Sequence, residues 1–162
     1  MASTFIILII FFIAVYSVIY VQKSLSKDKY NRLIKKNDFK GFLKLTKLHL
    51  GEGKYEKALE TIDKWLEQNP YHLQGLSTKA FIYYFKGDYK NASMIVNHGL
   101  NLDPEFSEFL YIAGELEIEN GNKESGKELK EKAYEQNKNL RVLSTWYIGY
   151  RHKIDRYIEL YK

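Results

Sequence analysis

GKYEKALETIDKWLEQNP at residues 53–70 and GDYKNASMIVNHGLNLDP at 87–104 are one pattern written twice. Four identities hold the register: Gly53 with Gly87, Tyr55 with Tyr89, Ala58 with Ala92 and Pro70 with Pro104, each pair 34 residues apart. A fixed period of this length marks a stacked repeat, in which neighbouring copies bury one another's apolar faces. Within the first copy Tyr55, Ala58, Leu59, Ile62, Trp65 and Leu66 fall at i, i+3, i+4 and i+7 intervals, which gathers them on one side of a helix. Glycine ahead of the stripe supplies a turn. Proline behind it stops the helix, because proline lacks a backbone donor and restrains the residue before it.

Turn glycine, aromatic, small residue and closing proline, in that order, resemble the second half of a tetratricopeptide repeat. The resemblance covers about 100 residues, strongly over 39–106 and weakly beyond. It implies an all-α fold: a right-handed superhelical array of antiparallel helix pairs, about three units and a capping helix, within 38–140 and 141–162. Laid along the chain, the units fall at 39–72, 73–106 and 107–140, each with its glycine between two helices.

The first unit opens at Asp38, an N-cap residue, and presents Phe42, Leu45 and Leu48 before Gly51 and Gly53 end the helix. The second offers Leu76, Ala80 and Tyr83, then Tyr89, Ala92, Val96 and Leu100. The third is degenerate. Phe106, Leu110, Ala113, Gly114 and Gly121 keep the pattern, but Lys123, Gly126 and Lys138 replace tyrosine, alanine and proline. Its second helix has only Leu129, Ala133 and Tyr134 to bury. Terminal repeats often decay in this way, since one of their faces meets water. Beyond it Leu143, Trp146, Tyr147, Tyr150, Ile154, Tyr157, Ile158 and Tyr161 share a helical face. That segment reads either as a cap or as a truncated fourth unit.

The amino terminus is of another kind. Residues 5–21, FIILIIFFIAVYSVIYV, hold no charge and only Ser17 as a polar break. Hydropathy alone predicts a single bilayer-crossing helix within 1–22; a cleaved secretory signal is the rival, weakened by the lack of a basic n-region. The neck at 23–37 is basic: Lys23, Lys27, Lys29, Arg32, Lys35, Lys36 and the following Lys40 stand against Asp28 and Asp38. The excess of positive charge after the span places the repeat domain on the cytoplasmic side and the neck near anionic lipid. No nucleic-acid-binding module accompanies these bases, so nucleic acid is not an expected partner.

Chemistry is sparse. The chain has no cysteine, which excludes disulfides, thiolate metal sites and a cysteine nucleophile. His49, His72, His98 and His152 are scattered without ligand spacing. Gly51-Glu52-Gly53 lacks the third glycine and preceding strand of a phosphate loop. No cofactor, metal or catalytic residue is expected, and the chain is read as a non-enzyme.

In the family it resembles, the first helix of each unit lines a concave face that binds a partner. Carried over by position, that face comprises Lys40, Leu43 and Lys47, then Gln74, Ser77, Phe81, Tyr84 and Phe85, then Glu108, Tyr111, Glu115 and Glu119. Phe81, Tyr84 and Phe85 are either aromatic anchors of an interface or packing beneath a neighbouring unit. Family members that clamp a carboxylate use basic and asparagine side chains, where Glu108 and Glu115 stand here. Residues 101–120 hold six acids and no base, a charge that favours a basic or amphipathic peptide. The expected function is a membrane-anchored adaptor or scaffold for a protein partner. An exported, envelope-side domain assisting secretion or complex assembly is the alternative, and an enzyme-accessory subunit has no specific residue behind it.

Overall fold

Gly53, Gly87 and Gly121 take φ of 68°, 82° and 92°, so the three turns built on the 34-residue period share one backbone form. Positive φ is strained for any residue with a Cβ, which explains glycine at each. The hydrogen bonds repeat too. Lys54 N donates to His49 O at 2.9 Å, Asp88 N to Tyr83 O at 2.9 Å and Asn122 N to Glu117 O at 2.9 Å, closing the helix end each time.

In this computed structural model the described residues are 9, 11–21, 28, 32 and 38–140. The chain forms two compact parts, Met1–Leu45 and Thr46–Lys162, and the boundary falls inside the first helix of the repeat region. Within the described residues 38–140 six helices follow one another: α1 Phe39–Gly51, α2 Tyr55–Leu66, α3 Leu73–Lys86, α4 Tyr89–Leu102, α5 Ser107–Glu119 and α6 Lys123–Gln136. No strand occurs among the described residues.

In the first part, Asp38 starts α1 by accepting the Lys40 amide on its side chain at 3.0 Å. The expected bilayer span is corrected. Among the described residues no helix is long and apolar enough to cross a membrane. The single-pass assignment, the cytoplasmic side and the lipid contacts fall with it. The remaining residues of 1–22 lie outside the described ones, as does the neck at 23–37 except Asp28 and Arg32.

In the second part, α3 packs against α2, α4 and α5, and α5 against α4 and α6. Ile62, Ile82, Ile112 and Phe109 are fully buried at the centre, with Ala58, Ala80, Ala92 and Ala133 beside them at 0% exposure. Each fully buried large apolar side chain contributes about 1.5–3 kcal/mol. Across the α2–α3 boundary Lys79 pairs with Asp63 at 2.8 Å and Lys86 with Glu56 at 3.2 Å. Both pairs are partly solvated, so they align the helices more than they stabilise them. Pro70 and Pro104 occupy the connections after α2 and α4, with Asp103 extended at φ −146° and ψ 101° before the second. The capping helix or fourth unit expected at 141–162 lies outside the described residues.

The α2–α3 connection carries a titratable cap. His72 precedes α3, and its Nδ1 accepts the Gly75 amide at 3.0 Å while its ring meets Trp65 edge-on at 5.3 Å. Burial pushes the imidazole below its ordinary value. A protonated Nδ1 cannot accept, so the cap stabilises fully above the unfolded value of about 6.5 and weakens as pH falls below it. His72→Asn keeps an acceptor that does not titrate here. The urea midpoint of the native chain is expected to drop between neutral and mildly acidic pH by more than that of His72→Asn. Parallel pH profiles for the two would remove the cap from this account.

Candidate partner-binding face

Side by side, α3 and α5 bring together most of the residues expected to meet a partner. Tyr84 on α3 donates its hydroxyl toward Glu115 Oε2 at 3.1 Å and Glu119 Oε1 at 3.3 Å, both on α5. Phe81 stacks on Phe85 at 6.2 Å and meets Tyr111 at 6.0 Å. The Tyr111 ring reaches Tyr134 of α6 at 6.0 Å, so an aromatic layer runs through three helices.

That layer is mostly interior. Phe81, Tyr84 and Tyr111 are 4%, 5% and 2% exposed, and Ser77 is buried with its hydroxyl on Gln74 O. These four are buried, which for Phe81 and Tyr84 matches the reading of packing beneath a neighbouring unit. Gln74 and Glu119 are exposed, Phe85, Glu108, Leu43 and Lys47 are partly buried, and the Glu115 side chain is only 15% exposed. Lys40 is exposed in the first compact part. Burial pushes the Lys47 ammonium below its ordinary value.

Two residues of this constellation, Lys130 and Tyr134, escaped the positional reading because they belong to a second helix of a pair. Lys130 forms an ion pair with Glu115 and lies 5.2 Å from the centre of the Tyr111 ring. Burial first, and the Glu115 carboxylate second, push the Tyr111 phenol well above its ordinary value. The phenol therefore stays a neutral donor at any physiological pH. A sequence signal existed: Gly126, Lys130 and Tyr134 recur every four residues on α6, one stripe toward α5.

Among the described residues no three or more His, Cys, Asp or Glu side chains gather to hold a metal ion. A surface cleft of about 290 Å³ lies between the start of α4 and the end of α5, lined by Tyr89, Ser93 and Asn120 among others, and none of the expected face residues borders it.

No family model and no curated protein matches this sequence. Solved structures do match it. The type III secretion translocator chaperone SycD of Yersinia enterocolitica, in an alternative dimer, is 18% identical with a TM-score of 0.55, over 74% of this chain and 93% of that one. MamA from MSR-1 is 18% identical at 0.52, over 74% and 72%. A MamA fragment from Desulfovibrio magneticus RS-1, residue 41 to the end, is 16% identical at 0.51, over 86% and 96%. At these identities the likeness speaks for architecture alone. The chain has an all-α helical-repeat fold of the kind found in tetratricopeptide-type proteins.

Proposed function

We propose that this domain is a non-catalytic adaptor whose α3–α5 face holds a basic or amphipathic segment of another protein. The observation that carries the reading is the Tyr84 hydroxyl shared by Glu115 and Glu119. It ties two carboxylates to a rigid aromatic floor beside the half-exposed Phe85. Glu115 is already paired with Lys130, so the exposed Glu119, fixed next to an aromatic edge, is the acceptor that suits a lysine or arginine side chain, whose stem packs while its head group pairs. The acid-only stretch 101–120 adds a field that speeds encounter with such a segment. The Yersinia structure of this fold is described as a translocator chaperone, which fits a protein-handling role.

Selection of a displayed random-peptide library on the native chain tests this. Recovered peptides are expected to combine lysine or arginine with apolar residues and to weaken with salt. Glu119→Lys and Phe85→Ala are expected to lose them while keeping helicity. Equal binding by Glu119→Lys would contradict the reading.

A further inference from the structure

The last stretch of this chain is itself a segment of the kind that the α3–α5 face is read to hold. Residues 141–154 contain Arg141, Arg151 and Lys153, no acid, and Leu143, Trp146, Tyr147, Tyr150 and Ile154 at helical spacing. The opposite composition lies at 101–120, with six acids and no base. The fold delivers one to the other. Tyr134 in the last turn of α6 meets Tyr111 at 6.0 Å, so the chain leaves α6 beside the first turns of α5. A hollow of about 350 Å³ lies at that exit, lined by Glu131, Tyr134, Glu135 and Lys138. It offers two carboxylates and a ring that continues the Phe81–Tyr111 layer.

The outer side of α6 is the competing place, and its charge does not discriminate. Exposed Glu124, Lys127, Glu128 and Lys132 carry both signs there, and no large apolar side chain of that helix is exposed. We propose that residues 141–154 lie along the α3–α5 face of the same molecule, with Arg151 and Lys153 at Glu119, so that a partner must displace them. The lengths agree. From Glu108 to Glu119 is about 16 Å at helical rise, and the same rise from Arg141 ends between Arg151 and Lys153. Trp146 and Tyr147 then fall level with Tyr111–Glu115. The proposal rests on the reading that this face takes a basic amphipathic segment, and adds that the native chain supplies one itself. A segment tethered this closely acts at an effective concentration on the order of mM, so only a partner that outmatches it enters.

Because the chain has no cysteine, a thiol-linked photo-cross-linker can be placed at one chosen position of the full-length protein. On Gln74→Cys, at the exposed edge of the face, it is expected to capture a peptide from 141–162. On Glu128→Cys, at an exposed position of α6, it is expected to capture none. Capture from Glu128→Cys alone, or from neither, would overturn the proposal. In an equal mixture of light and heavy-isotope chains, cross-links should join like with like. Mixed products in equal number would place the segment in a second molecule and overturn it too. Arg151→Glu/Lys153→Glu is expected to lower capture several-fold and to tighten a library-selected peptide by a similar factor, because its competitor is weakened. Unchanged capture and unchanged peptide affinity would overturn this proposal and leave the peptide-binding reading intact. Capture from Gln74→Cys while neither chain binds any library peptide would reject the adaptor reading and support this one.

Discussion

Phe81→Ala is expected to cost about 3–5 kcal/mol of stability, the range for deleting a buried aromatic side chain. Phe81 is 4% exposed and sits between the Phe85 and Tyr111 rings, so truncation opens a cavity bounded by α3 and α5. The neighbours are themselves braced: Tyr111 is held by Tyr134 on one side and by the Glu115–Lys130 pair on the other. They cannot collapse inward to fill the gap. In a domain of this size each kcal/mol moves the thermal midpoint by about 4–8 °C. Phe85→Ala, at a half-exposed position, should shift it far less. Melting followed by circular dichroism separates the two variants. A Phe81→Ala chain that melts like the native protein would mean the ring is a surface anchor and not part of the floor.

Gly126→Ala should destabilise the fold although it restores the repeat pattern, in which Ala58 and Ala92 hold the equivalent positions. A Cβ on Gly126 would lie 2.5 Å from the Gly114 carbonyl oxygen and 2.6 Å from Ile118 Cγ1. The contact is reciprocal, since a Cβ on Gly114 would lie 2.6 Å from the Gly126 oxygen. Two backbones meet here, and a carbonyl oxygen cannot rotate away as a side chain can. Alanine gains about 1 kcal/mol in helix propensity over glycine. Overpacking costs about 1–3 kcal/mol, and the backbone nature of the clash puts it at the upper end. The expected net loss is about 2 kcal/mol by urea denaturation. An unchanged or higher midpoint would show that α5 and α6 can separate at little cost.

These two sites show what a sequence does and does not reveal. The all-α repeat architecture is legible because its signals are local: a stripe on α2, glycine where φ must be positive, proline beyond a helix end. Burial on α3 is legible only in part. Leu76 and Ala80 are inside as their spacing indicates, but Phe81, Ile82 and Tyr84 are buried too, because α2, α4 and α5 surround that helix. A helix covered on several sides has no single stripe, so spacing could not tell Tyr84, which is inside, from Tyr83, which is half-exposed. Gly126 read as a lost alanine because the meaning of a small residue depends on what opposes it, here another glycine. Lys130 was passed over, despite its place in the Gly126–Lys130–Tyr134 stripe, for a related reason: a lysine signals solvent until a carboxylate and a ring are seen beside it. At the amino terminus, hydropathy pointed to a bilayer span, which the described helical residues do not form.

Hydrogen exchange of the native chain, with and without a peptide selected from the library, tests the central claim most directly. Bound peptide is expected to slow exchange in α3 and α5, around Gln74–Lys86 and Glu108–Glu119, and to lose that effect in Glu119→Lys. Protection confined to other helices, or the same protection in Glu119→Lys, would contradict the assignment of this face.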